Sequence, residues 1–427
     1  MLRALLLSLF ALALALPAAA NDYTLYVAPR GTDAYAFAEQ HADNDNSYAH
    51  RSLHRALTQA AELLASGSPT VRILVAGGEF DGQFGAGTWA LASVDNPRAR
   101  LHILGGYAGA FDARTPFDTP TLLKTSEGRG GPIFTLGQRS VLKEFVFSGF
   151  VLDAGPSNVY DDDTNSLVRG SGTRTYTLLS FRNLRTERLV VADNVFMNGP
   201  QGAMDPTIAP AARDTRVLIQ NNFFLNTLIP IQQLGTMSWR GNRIATLALR
   251  HNTFLMNWPF NPDPTSSNVG AVSLYHKEGT DRVEIEGNLF AYNVGGAMQH
   301  DWPFDRMPDL AMRNNLFFAN GSLFDEDAGD DTGVLVGKFG PNPRYLVIDL
   351  YGVEDDTDYD GGGNVILDPD IPVDLAFYQE SEMEEDWAEI YVDSYAPRMV
   401  LEPGNYPFPG EPEAQKFGVQ SAEVYQP

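Results

Sequence analysis

Gln220, Arg250, Glu286 and Arg313 each stand two residues before an Asn in phrases of one shape, and Glu284 precedes Glu286 by two. A row of arginines can grip carboxylates in bidentate fashion, which suits a uronate-bearing sugar. Elimination at a uronate also needs a base near the proton alpha to the carboxylate, and a group that neutralises the developing charge. His251, His276 and Lys277 lie close by in sequence. The candidate catalytic set is therefore Arg250, Glu286, Arg313, His251 and Lys277, with Gln220, Glu284 and His276 as substrate-binding candidates. The same residues also read, and more simply, as a ladder of exposed ion pairs, each worth little. No motif in the chain fixes their roles.

Two acidic groups suggest other chemistry. His300-Asp301, Asp305 and Asp309 offer carboxylates of the type that flank a glycosidic bond in hydrolases, or else a solvated loop. Asp356, Asp358 and Asp360, followed by Gly361, alternate as ligands do in the first half of an EF-hand-like Ca2+ loop. The pattern then departs: Gly363 and Leu367 stand where an aliphatic residue and a Glu belong, with Asp368 one place later. Because Glu354-Asp355 precede it, a plain acidic loop is the alternative to a Ca2+ site.

What must position the arginine row is a repeat. Asp193-Asn194-Val195-Phe196, Asn221-Asn222-Phe223-Phe224, His251-Asn252-Thr253-Phe254, Gly287-Asn288-Leu289-Phe290 and Asn314-Asn315-Leu316-Phe317 recur, each followed by another Asn at 198, 226, 257, 293 or 320. The marker Asn residues at 194, 222, 252, 288 and 315 are separated by 28, 30, 36 and 27 residues. A period of this size points to a solenoid whose units bury their apolar faces only by stacking. Three and five positions before the markers stand apolar residues: Val191, Ile219, Leu249, Ile285 and Met312, then Leu189, Val217, Leu247, Val283 and Leu310. Two positions before the markers stand Ala192, Gln220, Arg250, Glu286 and Arg313, mostly polar, so the period is that of a half-buried strand. Each unit is expected to be one coil of a parallel β-helix, with stacked aliphatic, Phe and Asn columns about 4.8 Å apart. The marker Asn is expected at the bend, where left-handed backbone is tolerated.

Met1 to Ala20 has an early Arg3, a Leu/Ala run and an Ala18-Ala19-Ala20 end, the form of a secretory signal. There is no Cys, which excludes disulfides and thiolate chemistry. The net charge of −24, with lysines only at 124, 143, 277, 338 and 416, argues against nucleic acid and anionic membranes as partners. No further apolar run is long enough to span a bilayer. Tyr23–Ala28 and Val71–Ala76 read as strands, and Arg51 to Ala65 as an amphipathic helix with Leu53, Ala56, Leu57, Ala60 and Leu64 on one face. Leu101–Tyr107, Pro132–Leu136, Val141–Leu152 and Thr175–Phe181 read as further strands. Polar insertions at 155–174, 199–215, 258–268 and 299–309 could wall a groove beside the coils.

The order of strand, Gly31-Thr32-Asp33 turn, helix, VRILVAGGEFDG and LHILGGYAGAF, with Arg114 and Pro120-Thr121 downstream, resembles secreted bacterial right-handed parallel β-helix proteins of the pectate-lyase-like superfamily. The resemblance covers Tyr23 to about Asp370. It implies an all-β, right-handed parallel β-helix capped by the N-terminal helix over 21–370. From Ile371 to the end the chain is acidic and Pro-rich, an extension able to fold over the end of the solenoid. The superfamily includes polysaccharide lyases, hydrolases, epimerases, tailspikes and non-enzymatic surface proteins. The expectation is a secreted protein presenting a lateral face to polysaccharide without catalysis. The alternatives are a uronate-active lyase and a purely structural envelope or adhesion protein.

Overall fold

The computed structural model describes residues 21–42, 46–82, 88–125, 132–155, 159–161, 166–168, 177–181, 183–199, 202–205, 208–231, 241–258, 270–274, 280–293, 295–300, 309–321, 335–339, 344–348, 360–372 and 406–427. They form a right-handed parallel β-helix. The first sheet stacks Tyr23–Val27, Thr70–Ala76, Asp95–Tyr107, Val141–Ser148, Arg188–Ala192, Thr215–Gln220, Ile244–Arg250, Thr280–Glu286, Asp309–Arg313 and Asp360–Gly362, with Ser47–His50 on its upstream edge. A second sheet of nine short strands runs from Gly78–Phe80 to Val365–Ile366. A third side holds two four-stranded sheets joined through bridges at Ile231. The run read as one strand over Val141–Leu152 turns a corner at Gly149 and serves two sheets, as Val141–Ser148 and Phe150–Asp153.

The repeat phrase is that corner. Phe196, Phe224, Phe254, Phe290 and Phe317 point inward and stack at 5.0, 4.7, 4.7 and 5.3 Å, nearly parallel. The marker Asn residues are not the bend, however. The residue before each takes the left-handed conformation: Asp193, Asn221, His251, Gly287, Asn314 and Gly363 all have positive φ. The markers themselves are buried beneath the corner and form a ladder. Asn222 Nδ2 donates to Asn252 Oδ1 at 2.9 Å and to Val191 O of the preceding coil at 3.0 Å, and Asn222 N donates to Asn252 Oδ1 at 3.0 Å. The pattern repeats from Asn194 through Asn288 and Asn315 to Asn364. The amide side chain thus satisfies backbone groups that the turn leaves without a strand partner.

The second Asn series is two columns rather than one. Asn198 and Asn226 sit at left-handed positions, with Asn226 Nδ2 donating to Asn198 Oδ1 at 3.0 Å. Asn257, Asn293 and Asn320 fall one residue later and build a separate buried ladder, which Thr227 N joins by donating to Asn257 Oδ1 at 3.0 Å.

Helix α1, Asp33–His41, follows the first strand where the sequence suggested only a turn; Thr32 Oγ1 caps it by accepting from Tyr35 N at 3.2 Å. It buries only Ala34 and Ala38, so no apolar stripe announces it. Helix α2, Leu53–Ala65, buries Leu53, Ala56, Leu57, Ala60 and Leu64 against the upstream coils, in one core with the Phe column. No helix among the described residues is long and apolar enough to cross a membrane.

Residues 406–427 run back along the flank of the solenoid. Gly410 N donates to Asp370 O, Gly418 N to Gly287 O, Val419 N to Thr253 Oγ1, Gln420 N to Asn221 Oδ1 and Tyr425 N to Asp193 Oδ2. The segment therefore steps upstream from corner to corner. Tyr406, Ala414, Phe417 and Val419 are buried on the outer face of the second sheet. Its end meets the buried Arg114, which donates to Tyr425 O at 2.7 Å and Gly105 O at 2.9 Å, lies 3.2 Å from Asp193 Oδ2 and also bonds Ser148 Oγ. The ion pair is tolerated inside because the surrounding groups meet most of its remaining hydrogen-bonding capacity. Residues 373–405, the rest of the extension expected to close the solenoid end, lie outside the described residues.

Candidate functional site: the outer face of the first sheet

In-register pairing turns the outward side chains of the first sheet into rows. One row runs Gln220, Arg250, Glu286, Arg313, so these four stand side by side on successive coils. The next runs Arg72, His102, Val146, Val190, Leu218, Ala248, Glu284, Ala311 and ends at Asp360. A third runs Arg100, Glu144, Arg188, Arg216, Thr246, Arg282 and ends at Asp309.

Arg250 is not held mainly by its neighbour in the row. Its Nη2 donates to Glu284 Oε2 at 2.7 Å, whereas Nε is 3.8 Å from Glu286 Oε2. Glu284 also accepts from Arg282 Nε at 2.8 Å, so one carboxylate joins arginines from two rows. Burial works to raise the pKa of Glu284, but the hydrogen bonds from Arg282 and Arg250 outweigh it and hold the carboxyl below its ordinary value.

A second cluster lies upstream. Glu144 Oε1 accepts from Arg188 Nη1 at 3.0 Å, with Arg100 Nε at 3.6 Å from Oε2 and His102 Nε2 at 3.6 Å from Oε1. The His102 distance is too long for a hydrogen bond. His102 is only 5% exposed, and both ring nitrogens are buried without a hydrogen-bond partner among the described residues. The nearby imidazole and the two guanidiniums hold Glu144 below the usual carboxylate range, against its own burial. These strands lie mostly upstream of the repeat phrase. Aligning the inward pairs Leu101-Ile103, Phe145-Phe147 and Leu189-Val191 is the signal that brings Arg100, His102, Glu144 and Arg188 together.

His251 does not join the arginine row. As the corner residue it sits between Asn221 and Gly287, and its imidazole lies against the Gly287 backbone, where a Cβ would collide with the ring. His276, Lys277, Asp301, Asp305, Asp356 and Asp358 lie outside the described residues, and for His300, Asp309 and Asp360 only the backbone is described. Among the described residues no group of three or more His, Asp or Glu is placed to hold a metal ion. Of the insertions, 155–174 contains a described antiparallel hairpin, Val159–Asp161 with Ser166–Val168.

The face as a whole is unlike the rest of the chain. It gathers Arg72, Arg100, Arg188, Arg216, Arg250, Arg282 and Arg313 against Glu144, Glu284 and Glu286, with the backbone of Asp309 and Asp360 at the downstream register positions. The whole sequence has 54 acidic and 30 basic residues. Arg216 is exposed and makes no ion pair among the described residues, and Arg250 and Arg188 keep more than two fifths of their side chains in solvent. Such a surface can exchange internal ion pairs for carboxylates of a ligand. Comparison with protein-family models, with curated proteins and with solved structures finds no match to this chain.

Proposed function

We propose that this chain is an exported parallel β-helix protein, akin to the pectate-lyase-like superfamily, that presents the outer face of its first sheet to an acidic polysaccharide without cleaving it. The observation that carries the reading is the reversed charge balance: seven arginines on one sheet face of a protein with a net charge of −24. General electrostatics would repel a polyanion from such a protein, so binding would need this local lane. Guanidiniums on successive coils meet carboxylates repeated along an extended sugar chain. The test is calorimetric titration with a hexameric uronic-acid oligosaccharide. Binding is expected, weakened by salt, and weakened about tenfold by Arg250→Ala or Arg313→Ala, the scale of one charged hydrogen bond. No binding to uronate or other anionic oligosaccharides would remove the reading and leave a structural envelope or adhesion role.

A lyase is the second reading, and His102 favours it. An imidazole with no hydrogen-bond partner among the described residues, beside Glu144, Arg100 and Arg188, has the form of a base next to groups that neutralise a uronate. Cleavage would appear as a rise in ultraviolet absorbance from the unsaturated sugar, lost in His102→Ala.

A further inference from the structure

The upstream part of the arginine face is already occupied by the chain itself. Leu104, Val146, Val190 and Ala192 form an apolar floor on the outside of the sheet, and the Tyr425 ring packs against it. Its hydroxyl accepts from Arg188 Nη2 at 3.0 Å. Its main chain is fixed on both sides, by Asp193 Oδ2 through N–H and by Arg114 through C=O. Bordering this floor stand Arg100, Glu144 and Arg188 in one row, and His102, in register with Val146, in the next. An apolar floor edged by two arginines, a carboxylate and an imidazole with no hydrogen-bond partner among the described residues is what a sugar ring bearing a carboxylate requires. C–H faces pack below, the carboxylate meets guanidinium, and hydroxyls find an acceptor and a donor. Tyr425 supplies the same pair of features, a flat ring and an oxygen on Arg188.

We propose that Tyr425 and the residues leading to it fill a saccharide subsite, so that the C-terminal segment and an acidic polysaccharide compete for Arg100, His102, Glu144 and Arg188. The inference rests on the binding reading above and adds that the upstream half of the lane opens only when the end of the segment lifts. Among the described residues the C-terminal segment does not cover the downstream half, around Arg250 and Glu286, which keep more than two fifths of their side chains in solvent, so a short oligosaccharide binds there without disturbing Tyr425. A longer one must displace it.

The experiment measures affinity for uronic-acid tetramers and decamers in the full chain, in Tyr425→Phe and in Tyr425→Ala, with amide hydrogen exchange of residues 418–427 in the unsubstituted protein. Tyr425→Ala should bind the decamer about tenfold more tightly and the tetramer unchanged. Tyr425→Phe, which keeps the ring and releases Arg188 Nη2, should gain about threefold. The decamer, and not the tetramer, should raise exchange at 419, 420 and 425 in the full chain. Equal decamer affinity in all three proteins with unchanged exchange overturns the proposal while leaving the binding reading intact. Absence of binding in every protein overturns both. If Tyr425→Ala fails to fold, Tyr425→Phe and the exchange measurement still decide.

Discussion

The first and second sheets are built by the same coils, yet their outer faces have opposite characters. Outward residues of the second sheet are Val195 and Met197, Phe223 and Leu225, Leu289 and Ala291, Leu316 and Phe318, all buried. Phe117, Trp258, Tyr292 and the C-terminal Tyr406, Phe417 and Val419 cover them. The first sheet instead turns arginines and glutamates to solvent, apart from the strip beneath Tyr425. A solenoid fixes what points inward and leaves each outer face free to choose its partner. One face has taken a segment of its own chain, and the other carries charges that suit a partner from outside.

The contrast can be broken first at Phe223, which is fully buried on the outside of the second sheet between Phe117, Tyr406 and Phe408. Phe223→Ala should cost about 3–5 kcal/mol and raise hydrogen exchange throughout 406–427, as seen by thermal unfolding and mass spectrometry. Asn252→Ala, in the ladder between the two faces, should cost about 2–4 kcal/mol, because it strands Asn222 N and removes the donor to Ile219 O. A loss below about 0.5 kcal/mol would mean that water replaces the amide. Gly418→Ala is a milder change: φ is +71 and a new Cβ would press on Thr253 Oγ1. It should loosen the segment by about 1–2 kcal/mol while the coils keep their own unfolding transition.

Acidity sharpens the comparison from the other face. Glu144 and Glu284 have folded pKa values below the ordinary 4.5. Their contribution is therefore complete above that value and is lost as the pH falls through the depressed one. Between about pH 5 and pH 3 the unsubstituted protein should lose more stability than Glu144→Gln or Glu284→Gln, read from denaturant midpoints. The smallest effect belongs to Arg216→Ala, which should change stability by less than about 0.5 kcal/mol yet weaken uronate binding. Weakened folding without weakened binding would assign that arginine to structure.

The Phe column and the arginine row were legible because the phrase recurs with its side chains in register. The corner is ambiguous in the sequence for a physical reason: Asn serves both left-handed turns and buried amide ladders, and residue type alone does not separate Asn226 from Asn257. The upstream coils were dimmer because Gly149 stands where Asp193 and Asn221 later mark the corner. Glu284 was placed beside the row, but its hold on Arg250 is diagonal and depends on rotamers. The His102 cluster joins three strands with no shared phrase. The covering of the second sheet was foreshadowed by its triplets, such as Val195-Phe196-Met197 and Phe223-Phe224-Leu225, since a strand apolar at consecutive positions is buried on both sides.

The C-terminal segment also acts as a ruler. Solenoids ordinarily gain or lose whole units at little cost, because every coil asks the same of its neighbour, and the amide ladder from Asn194 to Asn364 would accept one more rung. The segment does not share that indifference. Gly418, Val419, Gln420 and Tyr425 each address a different coil, at Gly287, Thr253, Asn221 and Asp193. Duplicating a coil anywhere between Asp193 and Gly287 would move one end of the track by about 4.8 Å and leave some of these bonds unmade. The number of coils in this protein is thus tied to a stretch that contains no repeat.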